Sequence, residues 1–387
     1  MPPYVSSNIS RSQLIKRNLT KGKFLWVVGI AVFLFLEVAF QTSYTTMALA
    51  FNSPHLEKIS HLTSFNSASN LSPIERKLLT AFPFEETEPE KNIFQLWDIE
   101  SQTDDLPAKV TQMVLTWGIE NPSYVHNVLE VTQAEAKVEE VLTATVPEVW
   151  EAYKRLPHAR HKYEFLKYLL IYLFGGTYAD VDVELHKPIN KWYHPRMMFG
   201  RLYVGILGDL NEPNYDRHLN RRLTFSTNVF QARSRHPFLA KLIGRISHTS
   251  LQQSKRLKKI DWEAAFQNSD STGEPTISFT GPSVFTDTLV DYLNNIPNAV
   301  HASVSKSLHN SIVGPTVPKS QRFSYKKFSQ ILAPSQVEDV VIYPQVSFQG
   351  PLDNQEDDNS NYFYAQPSNF SKWGYRSNLD LKTPKSG

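Results

Sequence analysis

The stretch most suited to chemistry is HARHKYEFLKYLLIYLFGGTYADVDVELHKP, from His158 to Pro188. It holds the chain's Asp-x-Asp, Asp180 and Asp182. Thr177–Val183 alternates like a strand, and side chains two apart on a strand share a face. Asp180 and Asp182 are therefore expected on one side, with Thr177, Ala179, Val181 and Val183 on the other. Two carboxylates on one face make a hard-oxygen site that suits Mg²⁺ or Mn²⁺, with a substrate phosphate supplying further oxygens. Asp-x-Asp alone is a weak signal and more often marks a solvated strand end. Its neighbours narrow the choice.

Phe165–Phe174 is apolar except for Lys167. That run is too short to cross a bilayer and reads as a buried helix. Gly175-Gly176 stops it, one glycine being free to take the left-handed conformation. Glu164 and Lys167 are spaced i, i+3 on that helix and share a face. Charges on so apolar a helix are costly unless paired or turned to a polar cleft. Both are expected to face the cleft that receives Asp180 and Asp182. The alternative is an isolated ion pair closing the helix.

Other chemistries have no footing. The chain has no cysteine, which excludes disulfides, thiolate-bound zinc, iron–sulfur clusters and thiol catalysis. No Walker A loop, Gly-x-Gly-x-x-Gly, His-Glu-x-x-His or Gly-x-Ser-x-Gly is present. The net charge is +2 over 387 residues. Arg11, Lys16, Arg17, Lys21 and Lys23 crowd the N-terminus and leave the body near neutral, so a broad nucleic-acid-binding face is not expected.

Those basic residues precede FLWVVGIAVFLFLEVAF, 24–40, an apolar run with one charge. It reads as a short membrane-spanning signal-anchor, with 1–23 cytosolic and the rest lumenal. Its shortness suits an early secretory or Golgi membrane. Residues 41–90 are rich in Ser, Thr, Asn and Pro and read as a stem. Within it, Ser72-Pro73-Ile74-Glu75 is a capping box with proline at the first helical position. Residues 91–350 alternate strand-like and helix-like segments, an α/β domain. Residues 351–387 form a polar extension. Asn70 and Asn369 head lumenal glycosylation sequons.

Lys162–Tyr168 followed by GGTYADVDVELHKPI resembles the DXD region of glycosyltransferase family 32, and within it the fungal Golgi α-1,6-mannosyltransferases. The likeness extends to Lys91–Trp97, Trp117, Asn121–Tyr124, Arg222–Phe225, His236-Pro237 and Thr280–Pro282. It covers roughly residues 91–350. The resemblance implies a GT-A-like fold, GDP-mannose as donor, and a retaining transfer that depends on Mn²⁺ or Mg²⁺. The acceptor it implies is an N-linked high-mannose glycan, extended in α-1,6 linkage, with other mannosyltransferase subunits as partners.

Carried over by residue, Asp180 contacts the donor's ribose and sugar and Asp182 ligates the metal. Glu164 and Lys167 stand where the family has Asp and Arg around the donor sugar. Gln95 and Trp97 are placed at the guanine pocket, the alternative being core packing. Asn228 is placed near the sugar, the alternative being a strand-end turn. The family's C-terminal histidine is missing from the stretch 366–373, although Trp373 persists. Asn369 or Ser371 is left to supply an oxygen ligand. Two other readings stand beside this one. A weakly catalytic subunit of a mannan polymerase would explain the altered Glu164 and Lys167. Transfer to inositolphosphoceramide would need further hydrophobic segments near the C-terminus, which the sequence lacks.

Overall fold

The structure is a computed structural model. It describes residues 71–85, 88–97, 108–193, 201–209, 221–262, 279–295, 325–337, 339–351 and 361–368. The signal-anchor at 24–40, the stem before residue 71, and Asn369, Ser371 and Trp373 lie outside the described residues. Among the described residues, no helix is long and apolar enough to cross a membrane.

The fold is mixed α/β around a seven-stranded sheet of order β2-β1-β3-β6-β5-β8-β7. The strands are β1 (Asn92–Trp97), β2 (Val125–Glu130), β3 (Gly176–Ala179), β5 (Leu202–Asp209), β6 (Leu223–Ala232), β7 (Ser335–Val337) and β8 (Val340–Tyr343). A separate two-stranded sheet joins β4 (Val183–Leu185) to β9 (Ala365–Pro367). Strand β1 is parallel to β2 and β3, whereas β6 runs antiparallel to β3 and β5. The C-terminal ends of β1 and β3 therefore open on the same edge of the sheet, delivering Trp97 and Asp180 together.

Helices cover both faces. The longer ones among the described residues are α1 (Pro73–Ala81), α2 (Ala108–Glu120), α3 (Val131–Thr145), α4 (Pro147–Lys154), α5 (Ala159–Phe174), α6 (Pro237–Gln252) and α7 (Pro282–Asn295). The larger core gathers α5 and α6 against Tyr178 and Phe230, and a smaller one packs Trp117 of α2 and Trp192 against Ile93, Ala179 and Val229. Helix α5 is buried at every position from Phe165 to Tyr172, as its unbroken apolar run requires.

The local signals act as their chemistry dictates. Ser72 caps α1, its hydroxyl accepting from Glu75 N at 3.1 Å while the Glu75 carboxylate accepts from Ser72 N at 3.3 Å. Gly175 ends α5 at φ 62° and Gly176 follows at φ 106°. A Cβ on Gly176 would fall onto the carbonyl oxygen of Asn92, so both the backbone angle and the close approach of β1 require glycine. His236 caps α6, with Pro237 in its first turn.

Three features depart from the sequence reading. The strand through Asp180 and Asp182 stops at Ala179, and the chain turns at Val181-Asp182 before β4 starts in the other sheet. Helix α1, read as part of a stem, packs on α6, with Ile74 and Leu78 buried in the main core. The C-terminal extension contributes β9, whose pairing with β4 makes residues 365–367 part of the fold.

Candidate active site

The site is a turn clamped at the open edge of β3. Its backbone is held from three directions. Asp180 N donates to Asn228 O of β6 at 2.8 Å, Asp182 O accepts from Ser368 N at 2.7 Å, and Asp180 O accepts from Gln95 Nε2 at 3.4 Å. Val183 N donates to the same Asp180 carbonyl at 3.1 Å and closes the turn. Asp180 and Asp182 are each only 8% exposed. Their proximity thus comes from a tight turn and not from strand alternation.

The Asp180 side chain lies on the α5 side of the sheet. Its Oδ1 accepts from Tyr178 OH at 2.9 Å and sits 3.7 Å from Lys167 Nζ. Lys167 has no exposed surface. Its ammonium meets Glu164 Oε2 at 2.8 Å and donates to Thr227 O at 3.2 Å. It also lies 5.2 Å from the centre of the Tyr178 ring and 5.9 Å from that of Tyr163, within cation–π range. Glu164 and Lys167 therefore do touch one another, and Lys167 joins that pair to Asp180. Its stability role is correspondingly larger than a side chain merely facing an open cleft would have.

The two phenols are fixed donors. Burial, and then the neighbouring Asp180 charge, push the Tyr178 and Tyr163 hydroxyls well above their ordinary range. Both stay protonated at any physiological pH. Tyr163 spends its proton on Leu96 O at 2.8 Å, at the end of β1, and Tyr178 spends its own on Asp180.

The structure places the remaining residues as follows. Gln95 is fully buried; its amide bridges Asp180 O and His126, whose Nε2 lies 2.7 Å from Gln95 Oε1. Trp97, half-buried at the end of β1, packs against Val110, Met113, Val114 and Val181. Asn228 is half-buried and gives the turn its backbone carbonyl. Asn369 and Ser371 lie outside the described residues, although Ser368 brings the chain to Asp182.

Sequence reasoning missed Tyr163, Tyr178, Thr227, His126 and Ser368. Tyr178 was within reach, since a strand places it on the face of Asp180 two residues on. Tyr163 lies beside Glu164 on α5, whereas Thr227, His126 and Ser368 arrive from distant segments through pairings that no local pattern announces.

With this geometry in hand, comparison with known proteins is direct. The family described as "glycosyltransferase sugar-binding region containing DXD motif" matches residues 107–198, the span from α2 to just past the clamped turn. The chain is a glycosyltransferase, and its residues 107–198 are similar to this DXD-containing family. Among similar proteins is an initiation-specific alpha-1,6-mannosyltransferase of Candida albicans, 27% identical over 87% of this chain and 89% of that one. Another protein of that name, from Schizosaccharomyces pombe, is 32% identical over 50% of this chain and 48% of its own length. Among solved structures, the PaToxG glycosyltransferase superposes with a TM-score of 0.33 and 13% identity, covering 62% of this chain and 80% of that one.

Proposed function

We propose that the chain is a mannosyltransferase with a GT-A-like fold, moving mannose from GDP-mannose to an N-linked high-mannose glycan in α-1,6 linkage with retention. The observation that carries this reading is the clamped Asp180–Asp182 turn inside a region matched by the family, in a chain similar along most of its length to a protein named for that activity. Residues 24–40 would anchor it as a single-pass Golgi protein with the catalytic domain lumenal. Protease protection on sealed vesicles checks this, since digestion of the bulk of the chain without detergent contradicts it.

The donor set fits a divalent cation. Among the described residues, no group of three or more His, Asp or Glu side chains is placed to hold a metal. A carboxylate pair instead suits Mn²⁺ or Mg²⁺ that draws its remaining oxygens from a diphosphate. Asp182 would hold the ion, with Asn369 or Ser371 as a further oxygen ligand. When bound, such an ion supplies positive charge where the departing diphosphate gains negative charge.

The chain's own groups do the positioning. Tyr178 and Lys167 hold the Asp180 carboxylate in place for ribose and sugar hydroxyls. Glu164 fixes Lys167, which has no exposed surface and acts on the donor through Asp180. The sequence offers no obvious carboxylate nucleophile, so retention is assigned to attack from the face the diphosphate leaves.

The test uses the full chain in detergent, with labelled GDP-mannose, Mn²⁺ and a panel of N-glycan, mannobiose and glycolipid acceptors. Chelator-sensitive transfer, cleaved by an α-1,6-specific mannosidase, is expected. Asp182→Asn should lower kcat more than a hundredfold while circular dichroism stays unchanged. Transfer that ignores chelation, or that proceeds only from another nucleotide sugar, overturns the reading.

A further inference from the structure

A glycine stands in the last turn of α2, where alanine is the better helix former. Gly118 has a clear reason to be there. A Cβ at this position would sit 2.8 Å from Nδ1 of His126, closer than a methyl group tolerates. The imidazole of β2 is therefore seated against bare helix backbone. From that seat its Nε2 reaches Gln95 Oε1 at 2.7 Å.

The contact settles which way the Gln95 amide points. Gln95 has no exposed surface, so no solvent competes for it. With Oε1 accepting from the imidazole, Nε2 is turned toward Asp180 O at 3.4 Å. A reversed amide would present its oxygen to that carbonyl, two acceptors facing one another. Burial also pulls the His126 pKa below its ordinary value, so the ring stays neutral, with its one N–H on Nε2.

We infer that His126, seated on Gly118, is a positioning residue that locks the Gln95 amide and through it the backbone of the aspartate turn. The site is then held from both faces of the sheet. Lys167 and Tyr178 grip the Asp180 side chain from the α5 side, while Gly118, His126 and Gln95 grip its carbonyl from the α2 side. His126 acts through Gln95 and the turn.

This inference rests on the clamped turn being the donor site, so the assay separates the two ideas. Wild-type transfer from GDP-mannose and from other nucleotide sugars identifies the donor. The variants are then read as ratios to wild type with whichever donor it consumes. His126→Ala should lower kcat about tenfold, the rate equivalent of one lost hydrogen bond. The donor KM should change less than about threefold, and the melting temperature only slightly, because β2 is an edge strand.

His126→Gln places an amide N–H near the same point and should recover most of the loss. Gly118→Ala should improve α2 as a helix yet lower kcat as His126→Ala does, because the new methyl displaces the ring. A merely structural role predicts the reverse order, with activity following melting temperature and Gly118→Ala at least as active as wild type. The inference is overturned if His126→Ala keeps wild-type kcat, if His126→Gln is no better than His126→Ala, or if Gly118→Ala is fully active.

Discussion

Removing the Lys167 side chain isolates the energetics of the α5 side of the site. The ammonium is wholly buried, 2.8 Å from Glu164 and 3.7 Å from Asp180. Lys167→Ala leaves two carboxylates, themselves largely shielded, without that counter-charge. Breaking a buried ion pair by deleting one partner costs about 3–5 kcal/mol, most of it the penalty of the stranded charge. For a domain of this size each kcal/mol lowers the melting temperature by about 2–4 °C. A fall on the order of ten degrees is therefore expected in the ligand-free protein, read by circular dichroism. Neutralising both ends of the closer pair in Glu164→Gln/Lys167→Met removes one of the two stranded charges, that of Glu164, while keeping most of the volume. That double variant should melt well above Lys167→Ala. The reasoning is refuted if Lys167→Ala melts within two degrees of wild type, or if the two single losses simply add.

Three further outcomes follow from the fold. Asp339 accepts from His236 Nε2 at 3.0 Å and Tyr292 OH at 2.9 Å; burial opposes its charge, but these bonds and the His236 charge hold its pKa below the ordinary 3.8. A depressed folded pKa contributes stability above the unfolded value that is lost as pH falls through the folded one. Asp339→Asn should therefore flatten the acid limb of stability, measured as urea midpoints between pH 5 and pH 2. Ser72→Ala should cost about 1 kcal/mol by removing the cap of α1, and urea unfolding at neutral pH checks it. Gly176→Ala should cost about 1–3 kcal/mol through φ strain and collision with Asn92, with transfer activity falling further than stability because the turn lies just beyond β3.

Much of the site's chemistry was readable because it is local. Glu164, Lys167, Asp180 and Asp182 sit within one helix, one glycine stop and one turn. Each link has a short-range signature: an apolar run, two glycines, and paired carboxylates. The cap of α1 was legible for the same reason, since Ser72 and Glu75 are three residues apart. The geometry of the aspartate pair was misread because alternation continued past Ala179. Pairing to β6 ends there, and Val183–Leu185 is claimed by β9 instead. That choice is made by a strand about 180 residues away, which no window around residue 180 contains. Gln95 illustrates the same limit. The resemblance places it at the guanine pocket; that His126 is its partner comes from the parallel register of β1 and β2, which the residues around position 95 do not announce.

The pairing of β4 with β9 also governs when the enzyme becomes one. The carbonyl of Asp182 waits for the amide of Ser368, and the backbone amides of His186 and Lys187 wait for Tyr364 O. Ribosomes deliver residues at about 5–20 per second, so the aspartate turn emerges many seconds before the strand that fastens it. A nascent chain that has reached only residue 350 can pack α5 and the central sheet but cannot complete the turn. Synthesis is thus ordered ahead of catalysis, and a chain truncated before Tyr364 would carry both aspartates without the Ser368 contact to Asp182 and the Tyr364 contacts to His186 and Lys187.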